Sequence, residues 1–259
     1  MWPLSFISEE NFLAHVEATI QQYGDKLEPY DLKKFNKNII DPVKLIFDKT
    51  VYRFSWDEIV RNEIFRQRDK SNNNDIGYFH QGIFQYIANC EVPPSGWDVV
   101  FSKEEGIDIF DGDTVSRVFV EMKNKHNTMN AASSGKTYIK MQSQLLNDDD
   151  CACFLVEAIA RQSQNITWTV SVDGQQKKHR RIRRVSMDQF YALVTGQEDA
   201  FYQMCMVLPK VIEKAIADSA VAVIPEDSVI EELNTVAQSK NGSFALALYM
   251  LGFGSYTGF

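Results

Sequence analysis

The sequence has little of what secreted, zinc-binding and membrane-spanning proteins are built from. Its 4 cysteines form no CxxC pair, so we expect neither a disulfide framework nor a structural zinc site. The apolar run FALALYMLGF, residues 244–253, is too short to cross a bilayer. The N-terminus MWPLSFISEENF lacks the basic segment that opens a signal peptide. We therefore expect a cytoplasmic protein with free thiols that contacts no membrane.

A surplus of positive charge is absent as well. The formal net charge is −8, which by itself argues against a nucleic-acid partner. The cations are nevertheless concentrated, because the segment KKHRRIRR at 177–184 places six lysines and arginines around one histidine. A basic run of this kind is either a solvated face or a surface that meets phosphates.

Changes in the hydrophobic period indicate an α/β protein. Apolar residues at helical spacing predict helices over 8–21, 56–68, 76–90 and 130–146, with the polar residues 69–75 as a loop. Segments rich in β-formers predict strands over 97–102, 107–110, 114–123 and 151–160, with turns at 103–106 and 111–113. The order is helix, three-stranded meander, helix and strand in a mixed central sheet, with additional N- and C-terminal helices.

The stretch VFVEMKNK, residues 118–125, begins as a buried strand and then becomes polar. Side chains alternate along a strand, so Phe119, Glu121 and Lys123 share one face, whereas the apolar residues between them face the other way. An acid and an amine held together at the end of a buried strand form either a functional site or a salt bridge on an edge strand.

A second carboxylate is available for this face. Asp98 opens the neighbouring predicted strand, and sheet pairing would bring it beside Glu121. Asp108 is the alternative, since it also precedes Glu121 across a hairpin. Two carboxylates suit Mg²⁺, which takes oxygen ligands and polarises a phosphodiester, while an adjacent lysine orients the attacking water.

These residues resemble a known nuclease family. Asp98 followed by Glu121-Met122-Lys123 is similar to the PD-(D/E)xK signature, although Trp97 stands where the signature has proline. The stretches VEMKNKHNTMN, GWDVVF and DIGYFHQGIFQYI resemble type II restriction endonucleases of the group that cleaves GGNCC-like sites, most strongly over residues 75–145. The predicted order of elements also resembles the restriction-endonuclease-like core of that superfamily.

The resemblance implies Mg²⁺-dependent cleavage of double-stranded DNA by a homodimer. Asp98 and Glu121 are then the metal ligands, and Lys123 lies beside the attacking water. We expect a single domain, 1–259, with a catalytic core at 75–160, an N-terminal helical part at 1–74 and a recognition and dimerisation part at 165–259. A DNA methyltransferase is expected as a genetic neighbour and not as a bound subunit.

Cations and amides outside the signature are candidates for DNA contact. The predicted DNA-binding residues are Lys125, Asn127, Lys136, Arg180, Arg181, Arg183 and Arg184. A guanidinium matches the O6 and N7 atoms of guanine, but these arginines equally suit phosphate contacts or a dimer interface. If 180–184 is a strand, Arg181 and Arg183 share one face with Ile182 opposite.

Several polar residues have more than one interpretation. Glu157 is the lone charge of its predicted strand, and a structural ion pair is favoured over a role at the metal. Thr128 and Asn130 either cap the next helix or contact DNA, and His80 and Gln81 either support the site or only pack. Two alternative functions remain: a repair or junction-resolving nuclease without sequence preference, and a catalytically inactive DNA-binding protein.

Overall fold

The computed structural model describes residues 2–25, 28–217, 226–239 and 243–253. Its helices are α1 (Glu9–Asp25), α2 (Leu32–Asn36), α3 (Pro42–Tyr52), α4 (Trp56–Gly82), α5 (Ala131–Asn147), α6 (Met187–Thr195), α7 (Ala200–Ala217), α8 (Val229–Gln238) and α9 (Phe244–Phe253). Its strands are β1 (Cys90–Glu91), β2 (Val99–Phe110), β3 (Asp113–Lys125), β4 (Cys151–Ile159), β5 (Asn165–Val172) and β6 (Gln175–Ser186). A short 3₁₀ turn, Ile83–Tyr86, follows α4.

The strands form one mixed sheet in the order β1-β2-β3-β4-β6-β5. The first three strands are antiparallel neighbours, and α5 then crosses over so that β4 runs parallel to β3. Strand β6 is parallel to β4, and β5 pairs antiparallel with β6 at the far edge. The mixed α/β architecture predicted from the sequence is confirmed, and it is consistent with a restriction-endonuclease-like fold.

The chain divides into two compact units. One comprises Met1–Ile20 and Ile76–Ser219, and the other comprises Gln21–Asp75 and Ala220–Phe259. Strands β5 and β6, which lie in the part predicted for recognition and dimerisation, complete the same sheet as the predicted core.

The sheet-containing unit has an apolar core on each face of the sheet. Val118 and Val120 are fully buried on one face, together with residues of α6 and α7. On the other face, Tyr138 and Met141 of α5 cluster with Leu155. Strand β4 lies between the two cores, and every residue from Cys151 to Ala158 is buried, which explains its continuous apolar sequence.

The second unit has an apolar core of its own. Its buried residues come from α2, α3, α8, α9 and the first half of α4, with Phe35, Val229, Leu233 and Leu248 fully enclosed. Among the described residues, no helix combines the length and apolar character that crossing a membrane requires.

The predicted loop at 69–75 was wrong, because α4 continues through it to Gly82. The segment is polar but contains neither proline nor glycine, and serine and asparagine disfavour a helix only weakly. Asn73 also stabilises this part of the helix, because its side-chain amide donates to the Asp69 carbonyl one turn earlier at 3.0 Å.

The predicted turn at 103–106 was also wrong. The two short strands expected on either side of it are one strand, β2, which pairs with β3 both before and after residues 103–106. The register shifts between Ser102 and Ile107, so the extra residues are absorbed as a bulge. Gly106 serves this bulge with a φ of +89°, a conformation that favours glycine.

We predict that Gly106→Ala destabilises the protein. A Cβ at this position would lie 2.5 Å from Thr114 Cγ2, in addition to the strain of the positive φ. Strain and overpacking together should lower the free energy of unfolding by about 3 kcal/mol. Urea denaturation followed by circular dichroism measures the change.

Gly112→Ala is the matched control, since Gly112 also has a positive φ, +78°, but a Cβ there meets nothing within 4 Å. It should cost only about 1 kcal/mol. Thr114→Ser removes the clashing methyl and should restore part of the stability of Gly106→Ala. Equal losses at the two glycines would contradict the assigned clash.

Candidate active site

Strand β3 presents a polar face at its C-terminal end. Glu121 and Lys123 are partly exposed, whereas Val120 and Met122 between them are buried in the larger core. The alternation predicted from the sequence is therefore confirmed. The apolar residues fix the strand, and the strand in turn fixes the direction of the two charged side chains.

The structure brings Asp98, and not Asp108, to this face. The backbone N–H of Asp98 donates to the Val120 carbonyl at 3.0 Å, and its carboxylate accepts from the Met122 N–H at 2.7 Å. Asp108 instead pairs with Thr114 near the hairpin turn and accepts from the Gly112 N–H at 3.1 Å. Glu121 lies seven positions after Thr114 on β3, a distance of roughly 23 Å along the strand.

Two lysines hold the Glu121 carboxylate. Lys123 Nζ lies 2.8 Å from Oε1, and Lys140 Nζ lies 2.7 Å from Oε2. Lys140 comes from α5, and its ammonium also donates to the Gly96 carbonyl and lies 4.0 Å from the centroid of the Trp97 ring. Asp98, Glu121, Lys123 and Lys140 together are called the carboxylate–lysine cluster below.

The sequence did not lead to Lys140. Lys136, one helical turn earlier, was selected instead as a candidate for DNA contact. The available signal was the buried stripe of α5, because Tyr138 and Met141 fix which side of the helix faces the sheet. Lys140 lies beside that stripe, whereas Lys136 is exposed.

The two carboxylates have oppositely shifted pKa values. Burial raises the pKa of Asp98, and the neighbouring charge of Glu121 raises it further, against the opposing effect of the Met122 N–H. Burial also acts to raise the pKa of Glu121, but the hydrogen bonds from Lys123 and Lys140 outweigh it and lower the pKa. Glu121 is thus a stabilised anion beside a carboxylate that resists ionisation.

The cluster fits a hard divalent cation with few protein ligands. Asp98 and Glu121 supply carboxylate oxygens, and the described residues contain no group of three or more His, Cys, Asp or Glu side chains able to hold a metal. Mg²⁺ commonly binds through one or two carboxylates and takes its other ligands from water and phosphate. The donor set is therefore suitable for Mg²⁺ and unsuitable for structural zinc.

Glu157 is tied to the end of the polar face by an ion pair. It lies in register with Lys123 on the neighbouring strand, and its side chain is 1% exposed. Arg184 of β6 donates from Nε to Glu157 Oε1 at 2.9 Å and from Nη2 to the His126 carbonyl at 2.9 Å. The favoured interpretation, a structural ion pair, is confirmed.

The basic run divides between different partners. Arg180 and Arg181 both pair with Asp113, at the beginning of β3 and away from Glu121. Arg183 is buried, its guanidinium bonded to Asn165 and lying 4.3 Å from the Phe110 ring centroid. The predicted face alternation of 181–183 agrees with these contacts, since Ile182 belongs to the core beneath α5.

The polar segment after β3 is largely exposed. Lys125 and Asn127 are exposed, as is Lys136 on α5. Asn130 caps α5 by accepting from the Ser133 N–H at 2.9 Å, as the capping interpretation expects. Roles of these residues in DNA binding stay predictions.

His80 is enclosed beside Phe79, with its ring 5.7 Å from the phenyl ring. Burial, with a further contribution from His15, lowers the pKa of His80 to about 4.

Comparison with known proteins agrees with the geometry. A sequence model described as Eco47II restriction endonuclease matches residues 4–217, which include all of the carboxylate–lysine cluster. The type II restriction enzyme Sau96I of Staphylococcus aureus is 32% identical over 214 residues, covering 80% of this chain and 78% of that enzyme. The type II restriction enzyme Eco47II of Escherichia coli is 28% identical over 226 residues, covering 83% and 89%.

We predict that Arg184→Met strongly destabilises the protein. The substitution leaves the Glu157 carboxylate buried without its cation, which costs about 3 kcal/mol or more. The free energy of unfolding from urea titration measures the loss. Because a well-packed apolar pair replaces a buried ion pair at little cost, Arg184→Met/Glu157→Leu should recover most of it.

Arg180→Met is the matched control, since its side chain is 73% exposed and Arg181 remains beside Asp113. It should change stability by less than about 1 kcal/mol. If Arg184→Met and Arg180→Met lower the free energy of unfolding equally, the burial of Glu157 does not account for the loss.

Proposed function

Because the chain belongs to the Eco47II restriction endonuclease family, we propose that it cleaves double-stranded DNA in a Mg²⁺-dependent reaction at a short GC-rich palindrome similar to GGNCC. Membership makes it a type II site-specific deoxyribonuclease, and enzymes of this type generally use a divalent metal ion. The observation that carries the proposal is the meeting of Asp98, Glu121 and Lys123 on one face of β2 and β3.

In this proposal each side chain of the signature has one role. Asp98 and Glu121 are the metal ligands, and Mg²⁺ bound there would polarise the phosphodiester and lower the pKa of the attacking water. Lys123, fixed beside Glu121 by their common strand, donates to that water and neutralises charge that develops on the phosphate. The backbone N–H of Met122 holds the Asp98 carboxylate in place.

DNA contact is proposed for cations and amides around this face. Exposure and position support Lys125, Asn127 and Lys136, which lie after β3 and on α5. Among the arginines, Arg180 is the most exposed, and phosphate contact suits it best. Arg181 and Arg184 have to share their guanidinium groups with Asp113 and Glu157, and Arg183 is enclosed, so we propose that Arg183 supports the sheet beneath the DNA-binding surface.

A palindromic target favours a two-fold symmetric enzyme, so we include a homodimer in the proposal. A restriction enzyme also requires protection of the host DNA. The proposal therefore includes action in the cytoplasm and a DNA methyltransferase encoded by a neighbouring gene.

We predict discrete cleavage of phage DNA that requires both Mg²⁺ and Lys123. The purified protein is incubated with DNA in Mg²⁺ or in EDTA, and the fragment ends are sequenced. Ends should share one GC-rich palindrome, and Lys123→Ala should reduce the rate by about 10²-fold or more, because a charge-stabilising donor is lost. Lys103→Ala removes an exposed lysine of β2 outside the site and should cleave at the wild-type rate.

Two outcomes would favour the alternative functions. Cleavage without a common end sequence, or preference for branched substrates, would indicate a repair or junction-resolving nuclease. Binding of DNA without cleavage at any Mg²⁺ concentration would indicate an inactive DNA-binding protein.

A further inference from the structure

We propose that Lys140 is the resting counter-ion of Glu121, which it must leave before the carboxylate can ligate a divalent cation, and that Gly96 and Trp97 then hold its ammonium. Lys140 is thus a positioning residue that sets how readily the cation binds. The inference rests on the proposed metal-dependent function.

Both oxygens of Glu121 are engaged in the structure. Lys123 takes Oε1 at 2.8 Å, and Lys140 takes Oε2 at 2.7 Å. A divalent cation at a ligating oxygen would meet an ammonium group at contact distance, and two cations in so small a space repel strongly. One lysine must therefore withdraw from Glu121 when the ion is bound.

Lys140 is the lysine that is equipped to withdraw. Its ammonium already has two other partners, the Gly96 carbonyl and the face of the Trp97 indole at 4.0 Å. Its side chain is 38% exposed, so it has room to move while α5 stays anchored by Tyr138 and Met141. Lys123 reaches Glu121 from two positions along the same strand and remains beside it.

The side chain of Trp97 provides one of the other partners of the Lys140 ammonium. This residue stands at the position of the proline in the PD-(D/E)xK signature, and a proline has no π-face for a cation. The indole is held by Phe119 of β3, with ring centroids 5.5 Å apart. The indole therefore contacts the Lys140 ammonium at the same time as Glu121 does, and it remains as a partner when the contact with Glu121 is lost.

The test measures binding of Mn²⁺ alone, without DNA, by isothermal titration calorimetry. Lys140→Met keeps the length of the side chain but removes the competing charge, so it should bind Mn²⁺ about tenfold more tightly than the wild type. Lys140→Gln should show the same gain, and Lys140→Arg, which keeps the charge, should show none. Lys103→Met makes the same substitution at an exposed lysine of β2 outside the cluster and should leave Mn²⁺ affinity unchanged.

Tryptophan fluorescence provides a second measurement, which a purely structural role of Lys140 would leave unchanged. The chain has 4 tryptophans, so the emission of Trp97 is taken as the difference between the wild type and Trp97→Phe. Titration with Mg²⁺ should change this difference, because the ammonium on the indole shifts. The same difference in emission, measured in protein that also carries Lys140→Met, should not change with Mg²⁺.

The outcomes separate this inference from the proposed function. If Lys140→Met binds Mn²⁺ no more tightly than the wild type, or if neither binds it, the counter-ion role is overturned. Discrete DNA cleavage by the wild type would in that case leave the proposed function standing. If Glu121→Gln binds Mn²⁺ as tightly as the wild type, the cation is not held by this carboxylate, and both the inference and the assigned metal ligand are wrong.

Discussion

The charge of the Glu121 carboxylate is the constraint on which the polar face depends, because it lies where lysines from β3 and α5 meet. A half-buried anion is costly unless cations and hydrogen bonds compensate for the lost water. Lys123 on the same strand and Lys140 on α5 provide that compensation, with nitrogen–oxygen distances of 2.8 and 2.7 Å. The carboxylate therefore couples the position of the helix to that of the strand.

The Glu121 carboxylate also affects the pKa of Asp98. Asp98 lies close enough to Glu121 for the second negative charge to raise its pKa, beyond the larger effect of burial. A divalent cation between two carboxylates offsets the repulsion between their charges. In its absence the lysines offset part of that repulsion, and their hydrogen bonds lower the pKa of Glu121.

Prediction from the sequence succeeded where a local pattern determines the outcome. The period-two alternation of β3 correctly oriented Glu121 and Lys123, because burial of one face allows only one register. Lys140 could not be found in this way, since its contact with Glu121 spans 19 residues and arises only when α5 crosses over the sheet. The strand through 103–106 was missed for a related reason, because the bulge at Gly106 depends on pairing with β3.

The basic run has partners within the chain. Its arginines were predicted to contact DNA or to line a dimer interface, and the strand pairs distribute them among Asp113, Asn165 and Glu157. Cations that are neutralised within the chain contribute less to phosphate binding, which depends on uncompensated charge. Lys125 and Lys136 differ from these arginines, because both are exposed and neither forms an ion pair with the other residues that the structure describes.

Arg184 differs from the other arginines of the run, since it joins two neighbouring segments at the end of the polar face. Its guanidinium binds the buried Glu157, the register neighbour of Lys123, and also the carbonyl of His126 in the segment that carries Lys125 and Asn127. Arg184 therefore links β6 both to β4 and to the segment that follows β3. Its loss would remove both contacts at once and leave the buried Glu157 carboxylate without its cation.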